Sequence, residues 1–116
     1  MVSLWGASAV SLIDTKDAKV LETWPTESHP TEMVLSPDNK TLFVACSNST
    51  RVSILDVSQN GKSLGTLNCA LYPNAPNGNT PGSLSLTKDG KILIVANADA
   101  NNLSMFQVED PLKPVP

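Results

Sequence analysis

The side chains best suited to catalysis or metal binding are few and scattered in this 116-residue sequence. His29 is the only histidine, and it directly precedes Pro30. Acid–base catalysis by a histidine needs neighbouring groups that orient the ring, and metal binding needs several converging ligands. Because no second histidine is available, we predict that His29 is a loop residue without a catalytic or metal-binding role.

An oxygen-rich stretch is a second candidate, since Asn97, Asp99, Asn101 and Asn102 carry side-chain oxygens of the kind that bind calcium. Their spacing does not match an EF-hand loop, which needs a glycine at its sixth position and a glutamate at its twelfth. Asparagine and aspartate are also favoured in turns. We therefore predict a plain turn here and no metal site.

Two aspartates, Asp14 and Asp56, end similar segments, and Gln107 takes the corresponding place in a third segment. A carboxylate pair forms a catalytic site only when both groups converge on one substrate. Recurrence at a fixed place in a repeat spreads such acids over the fold, so we predict a structural role. No phosphate-binding glycine-rich loop and no nucleophile elbow occurs. The residues therefore predict no catalytic group and no cofactor.

The two cysteines, Cys46 and Cys69, are too few for a disulfide framework or a zinc site. They do not form a Cys-x-x-Cys pair, so their spacing does not indicate a redox centre. Two buried free thiols are the interpretation that we favour, and one disulfide bond is the alternative.

Aromatic residues provide the candidates for contact with a ligand or partner. We expect Trp24 to pack inside the fold and Trp5 to be exposed. Tyr72 lies in a stretch rich in Pro, Asn and Gly, and loops carry function more often than cores do. The predicted partner-binding loop residues are Tyr72, Pro73, Asn74, Pro76 and Asn77.

The composition excludes several classes of protein. Apolar residues make up 41% of the chain and charged residues 16%, which indicates a folded domain rather than a disordered one. No apolar run approaches the ~20 residues of a membrane-spanning helix. The net charge of -3 disfavours nucleic-acid binding, because phosphate contacts need clustered cations. The segment Met1–Ala7 lacks a basic and long apolar leader, so no secretion signal is predicted.

The chain repeats itself. Residues 30–45 match residues 81–96 at an offset of 51, and Val10–Asp14 precedes its copy Val52–Asp56 by 42 residues. The unit is therefore about 42 residues long, and the second copy carries about nine extra residues. These fall on Tyr72–Thr80, which is predicted to be a loop.

Each unit is predicted to form four short strands. The third of these strands, which we call strand c, is apolar throughout in both full copies of the unit. This pattern predicts that both faces of the strand are buried. An antiparallel hairpin covered on both faces needs a sheet stacked on each side, and this is the geometry of a β-propeller blade. In the first full unit the predicted strands are a, Lys19–Thr26; b, Thr31–Ser36; c, Thr41–Cys46; and d, Arg51–Val57.

These residues resemble a known repeat. The segment His-Pro-Thr-Glu-Met-Val-Leu-Ser-Pro-Asp-Asn-Lys-Thr-Leu-Phe-Val-Ala at 29–45, followed by Val52–Asp56, is similar to the YVTN family of β-propeller repeats. Val95-Ala96-Asn97 keeps the last triplet of that family, whereas Val44-Ala45-Cys46 has Cys in place of Asn. The segment Asn102–Val108 also resembles seven-bladed lactonase-like propellers. The resemblance implies an all-β protein of four-stranded antiparallel blades, in which the loop before strand b lies near a central channel.

The expected organisation is one domain that forms an incomplete ring. Its parts are a half-blade at 2–14, blades at 19–57 and 62–108, and a tail at 109–116. Two and a half blades are too few to close a propeller. The N-terminal strand then has an open edge, and an open edge favours pairing with another chain. We predict self-association, preferably as a two-fold dimer, through Val2, Ser3, Leu4 and Trp5.

Two functions are compatible with this reasoning. The first is a non-enzymatic propeller module whose loops bind a protein partner. The alternative is a fragment of a lactonase-like propeller enzyme, whose chemistry would need acids and a histidine, or a metal, from several blades. The residues assign no cellular location, and the resemblance suggests a periplasmic or secreted parent protein.

Overall fold

The chain is an all-β protein, as predicted. A computed structural model describes residues 1–116, and ten strands account for nearly all of the regular structure. Two short 3₁₀ turns lie at Trp5–Ala7 and Val57–Gln59, and no helix is long and apolar enough to cross a bilayer. The strands are β1 (Val2–Leu4), β2 (Ala9–Asp14), β3 (Lys19–Pro25), β4 (Pro30–Leu35), β5 (Thr41–Cys46), β6 (Arg51–Asp56), β7 (Lys62–Asn68), β8 (Pro81–Leu86), β9 (Ile92–Asn97) and β10 (Asn102–Gln107).

The strands form three antiparallel sheets. The first sheet has the order β1-β2-β3, the second β4-β5-β6-β7, and the third β8-β9-β10. Only the second sheet has four strands, and the three sheets do not close a ring. The predicted fold class, four-stranded blade-type sheets in an incomplete ring, is confirmed.

The sheets divide the chain at other points than the sequence predicts. Strand β3 pairs with β2, with Val10 opposite Trp24, and does not join β4. The reason is the short link after Asp14, whose carboxylate accepts hydrogen bonds from the backbone N–H groups of Lys16 and Asp17. A tight turn joins antiparallel neighbours, so predicted strand a completes the preceding sheet. The sheets therefore span 2–25, 30–68 and 81–107, not 2–14, 19–57 and 62–108.

Two apolar clusters fill the spaces between the sheets. The first and second sheets enclose Val10, Trp24, Leu42, Val44, Cys46 and Leu55. The second and third sheets enclose Phe43, Val52, Ile54, Leu67, Cys69, Leu93, Val95, Phe106 and Val108. Trp24 is 3% exposed, so the prediction that it packs inside the fold is confirmed.

The burial of predicted strand c differs between its copies. All six residues of β5 are buried, because sheets cover both of its faces. In β9, Leu93 and Val95 are buried against the second sheet, but Ile92 is exposed and Ile94 is half-buried. The prediction of burial on both faces is thus wrong for β9, since no sheet covers the far side of the third sheet.

The three sheets converge at one edge. Between sheets, the backbone of β4 approaches β1 and β8, and β8 also approaches β5. Two hydrogen bonds link β4 and β8 directly, from the Thr31 hydroxyl to the carbonyl of Gly82 and from the Leu84 N–H to the Glu32 carboxylate. Convergence at one edge is the arrangement of blades around an axis, so β4 and β8 are the strands nearest that axis.

Candidate functional site

The most distinctive contact at the axis end of the fold joins Trp5 and His29. Their ring centroids are 3.9 Å apart and the rings are tilted by 43°. Trp5 begins the 3₁₀ turn after β1, and His29 is the last residue before β4. Trp5 is 60% exposed, so much of its indole surface is open to solvent. We call this pair the Trp5–His29 site.

The backbone around His29 is repeated in the next sheet. The Ser47 N–H donates to the carbonyl of His29, and the Ala98 N–H donates in the same way to the carbonyl of Thr80. His29 and Thr80 both have left-handed backbones, with φ of 57° and 53°. Six other residues that are not glycine share this conformation, and all lie between strands. The repeat thus places two left-handed residues at equivalent ends of the inner strands.

One nitrogen of His29 is chemically unusual. Its Nδ1 is buried and has no hydrogen-bond partner. A buried polar atom without a partner is costly, and such atoms ordinarily bond to a protein group or to an ordered water. No carboxylate bonds to the ring, so the arrangement lacks the orienting acid of a hydrolase triad.

Hydroxyl groups extend this site towards the third sheet. The Ser47 hydroxyl donates to the carbonyl of Pro81 at 3.2 Å and lies 3.4 Å from the Thr31 hydroxyl oxygen. The Thr80 hydroxyl donates to the carboxylate of Asp99. An exposed indole, an imidazole nitrogen and several hydroxyls can together bind a polar ligand that also has an apolar face.

The predicted calcium-type oxygens do not form one cluster. Asn97 is 1% exposed, and its amide nitrogen donates to the side chains of Asn102 and Ser104, each at 2.8 Å. Asp99 instead accepts from Thr80, and Asn101 takes a left-handed turn conformation with φ of 51°. No group of three or more His, Cys, Asp or Glu side chains is placed to bind a metal ion.

The recurring aspartates hold their own turns. Asp56 accepts from the N–H and the hydroxyl of Ser58 and from the amide of Gln59, and these hydrogen bonds lower the pKa of its carboxyl. Asp38 and Asp89 are held in the same way, mainly by hydroxyls of Ser36 and Thr87, which lower the pKa of each carboxyl. The structural role predicted for Asp14 and Asp56 agrees with these contacts.

A cavity lies at the opposite end of the sheets from the Trp5–His29 site. It has a volume of about 570 Å³ and opens between the turns of the second and third sheets. Its acidic lining includes Asp38, Asp56 and Asp89. These carboxylates accept hydrogen bonds within their own turns, and the cavity is also lined by Lys40, Lys62 and Lys91.

Both cysteines are free and buried, as predicted. Burial raises the pKa of the Cys69 thiol to about 11, and it also raises the pKa of Cys46. Thiols of this kind react poorly because the thiolate is the nucleophile. The cysteines therefore contribute to packing rather than to a reactive site.

The predicted partner-binding loop is exposed over most of its length. Leu71 is 67% and Tyr72 59% exposed, and Pro73, Asn74, Pro76 and Asn77 are also exposed. The end of the loop is fixed, since the Gly78 N–H donates to the Thr50 hydroxyl and the Asn79 amide donates to the carbonyl of Cys69. Partner binding by this loop stays a prediction.

The predicted self-association edge is shorter than expected. Val2, Ser3 and Leu4 form β1, which pairs on one side with β2 and lies at an edge of its sheet. Trp5 leaves the strand and contacts His29. The reason is the 3₁₀ turn at Trp5–Ala7, which ends the extended conformation. Pairing of this edge with a second copy stays a prediction.

The register of the repeat contained a signal for the Trp5–His29 contact. At the offset of 42, Trp5 corresponds to Ser47. Ser47 bonds to Pro81, which follows Thr80, the equivalent of His29. The repeat therefore predicts that Trp5 approaches His29, just as Ser47 approaches the segment of Thr80 and Pro81.

No protein-family model matches the chain, and no curated protein matches it. Several solved structures are similar to it. Hydrazine synthase of Kuenenia stuttgartiensis superimposes with a TM-score of 0.77 over 96% of this chain and 29% of its own, at 18% identity. The periplasmic gluconolactonase of Pseudomonas aeruginosa gives a TM-score of 0.76 over 96% of this chain and 34% of its own, at 24% identity.

A proposed 6-phosphogluconolactonase of Bacteroides fragilis gives a TM-score of 0.70 over 89% of this chain and 30% of its own, at 21% identity. The chain thus spans about a third of the length of these structures. Identities this low bear on the fold alone. The superpositions agree with the three converging sheets. The fold of the chain is therefore similar to part of a β-propeller.

Proposed function

We propose that this chain is part of a lactonase-like β-propeller and that its Trp5–His29 site binds a sugar lactone or sugar acid. The observation that carries the proposal is the exposed indole of Trp5 against the His29 ring at the axis end of β4. The likeness to the gluconolactonase supports it. We also propose that the repeats are of the YVTN type, on the residues at 29–45 and 81–97.

The chemistry of the site suits a polyhydroxylated ring. The open face of the Trp5 indole can cover the C–H face of a sugar ring, while His29 and the neighbouring hydroxyls bond to its oxygens. Lactone hydrolysis needs a base that activates water and donors that stabilise the oxyanion. His29 can act as such a base, and the donors would come from further blades around the axis.

Titration with D-gluconate, followed by calorimetry, tests this proposal. Gluconate is a stable product analogue, so binding is measured without turnover. We expect Trp5→Ala and His29→Ala each to weaken binding at least tenfold. Tyr72→Ala is the matched control, because Tyr72 is as exposed as Trp5, at 59% against 60%, but lies in another loop.

Two results would contradict the proposal. One is the absence of gluconate binding at millimolar concentration. The other is equal binding by the wild-type chain and the Trp5→Ala and His29→Ala variants. Hydrolysis of glucono-δ-lactone, with and without a divalent metal, then separates a binding site from a catalytic one.

An interaction module is the second candidate function, and the exposed apolar side chains of Leu71 and Tyr72 favour it. A protein partner would bury these side chains. A photo-crosslinking amino acid in place of Tyr72 should then give a defined adduct, whereas the same replacement at Lys88, in an exposed turn, should not. Gluconate binding without such an adduct would favour the lactonase-like function.

A further inference from the structure

Two asparagines directly precede a glycine, Asn60 before Gly61 and Asn77 before Gly78. In such a pair the backbone nitrogen of the glycine can attack the side-chain amide carbon of the asparagine, because glycine has no Cβ to hinder the approach. Both asparagines are exposed, so access to solvent does not distinguish them. The backbone around each pair does distinguish them.

The backbone at Asn60 prevents this attack. Its ψ is 42°, which holds the next nitrogen almost opposite Cβ across the Cα–C bond of an L-residue. Ring closure requires the nitrogen and Cβ to lie on the same side of that bond. The turn resists rotation, since the Gly61 N–H donates to the carbonyl of Asp56 at 2.8 Å and the buried Trp24 indole fills the space beside Gly61.

Asn77 lies in a less constrained segment, the link between β7 and β8. Its backbone is not in the left-handed conformation of Asn60, and its side chain has no hydrogen bond within the chain. One hydrogen bond holds this pair, from the Gly78 N–H to the Thr50 hydroxyl at 3.0 Å. A single bond in an exposed loop opens more easily than a packed turn, so Asn77 can reach the reactive geometry without unfolding of the sheets.

We propose that Asn77 is a site of spontaneous modification to aspartate and isoaspartate, and that the Thr50 hydroxyl restrains this reaction. The Gly78 nitrogen bonds to Cγ of Asn77, the Cγ–Nδ2 bond breaks, and the amide group leaves as ammonia with the proton of the Gly78 nitrogen. Water then adds to either carbonyl carbon of the five-membered succinimide and breaks the bond from that carbon to the nitrogen. One opening leaves aspartate at position 77, and the other leaves isoaspartate, whose main chain runs through the side chain.

The modification changes the loop that carries Tyr72. Either product replaces a neutral amide with a carboxylate, and isoaspartate also lengthens the main chain by one methylene group. Gly78 and Asn79, which follow directly, are the residues that fix the end of the loop. The new charge therefore falls between the exposed part of the loop and its fixed end, and it does not depend on the ligand proposed for the Trp5–His29 site.

Peptide mapping by mass spectrometry tests the proposal. The chain is incubated in mildly alkaline buffer, once folded and once unfolded in guanidinium chloride. In the folded chain Asn77 should react at least tenfold faster than Asn60, whereas in the unfolded chain the two should react at similar rates. Methyl transfer by an isoaspartyl methyltransferase identifies the isoaspartate. Equal rates at both asparagines of the folded chain, or reaction of Asn77 only after unfolding, would overturn the proposal.

The restraint by Thr50 has its own test. Thr50→Val keeps the shape of the side chain without the acceptor oxygen, and it should raise the rate at Asn77 at least threefold. Thr66→Val is the matched control, since the Thr66 hydroxyl accepts from the Arg51 guanidinium on β6, and its rate should equal that of the wild-type chain. Circular dichroism confirms that each variant is folded. An unchanged or lower rate in Thr50→Val would show that the hydroxyl does not restrain the reaction.

Discussion

The turn before β7 depends on a single glycine. Gly61 has φ of +72°, and a Cβ on this residue would lie 2.1 Å from Cγ and Cδ2 of Trp24. Trp24 cannot easily move aside, since it is 3% exposed and its indole N–H donates to the Glu22 carboxylate at 2.7 Å. We predict that Gly61→Ala strongly destabilises the fold.

Two costs combine in this variant. A left-handed backbone costs an L-residue about 1–2 kcal/mol. Displacing a buried tryptophan forfeits part of its packing, and complete loss of such packing costs about 3–5 kcal/mol. We expect a loss of about 3–6 kcal/mol in the free energy of unfolding, a large part of the 5–15 kcal/mol that small domains typically have.

Two other glycines separate these costs. Gly90 has nearly the same backbone, with φ of +74°, but its added Cβ would lie 2.8 Å from Cδ of Pro37. Gly90→Ala should therefore cost the backbone strain, about 1–2 kcal/mol, together with a small displacement of the Pro37 ring. Gly6 has no heavy atom within 4 Å of an added Cβ, and Gly6→Ala should change the stability by less than about 0.5 kcal/mol.

A double-mutant cycle, measured by urea unfolding, tests the contact itself. Leu67 has the place in the second sheet that Trp24 has in the first. Trp24 lies opposite Val10, and Leu67 lies opposite Val52, which is the repeat equivalent of Val10. In a Trp24→Leu background, the cost of Gly61→Ala should fall to the backbone strain alone, about 1–2 kcal/mol. The reasoning is wrong if Gly61→Ala costs the same in both backgrounds.

Three further predictions concern the core, the loop and the thiols. Phe43→Ala should cost about 3–5 kcal/mol in urea unfolding, but Ile94→Ala less than about 1.5, since Ile94 occupies the same repeat position on an uncovered face. Deleting Tyr72–Asn77 should move the melting temperature by only a few degrees, because each doubling of loop length costs about 0.6 kcal/mol, whereas Asn79→Ala loses a buried hydrogen bond worth about 1–3 kcal/mol. The folded pKa of Cys69 is raised from 9.0 to about 11, so its contribution to stability is complete below pH 9 and disappears as the pH rises to 11. Cys69→Ala should flatten this alkaline loss in denaturant titrations, and an unchanged slope would show that other groups cause it.

The repeat predicts the strands well and their grouping poorly. The four strands predicted for the first full unit agree with β3 to β6 within one residue at each end, because the pattern of apolar residues and turns is local. Which sheet β3 joins depends on the links at its two ends. The link from Asp14 is a tight turn with its own hydrogen bonds, whereas the link from Pro25 to Pro30 crosses to the next sheet. Propensity alone does not distinguish a turn within a sheet from a crossing between sheets.

Burial shows a second limit of the sequence. Residues of β5 and β9 have the same apolar pattern, yet β5 is buried throughout and β9 has an open side. The pattern describes the environment for which a strand is suited. Whether both faces of a strand are buried depends on how many sheets pack beside its own sheet. The residues of the strand do not show that number.

The Trp5–His29 site shows how a repeat can hide a contact between residues that are distant in the sequence. Judged alone, His29 has no catalytic partner in sequence and Trp5 stands far from it. Their contact arises because the link after strand c of one unit meets the link before strand b of the next unit beside the axis, where the repeat fixes the backbone and leaves the side chains free to vary. At the next position the same backbone holds Thr80, bonded to Asp99. Variation of side chains on a constant backbone is how repeats build a site, so equivalent residues that differ most in chemistry are the ones to test for binding.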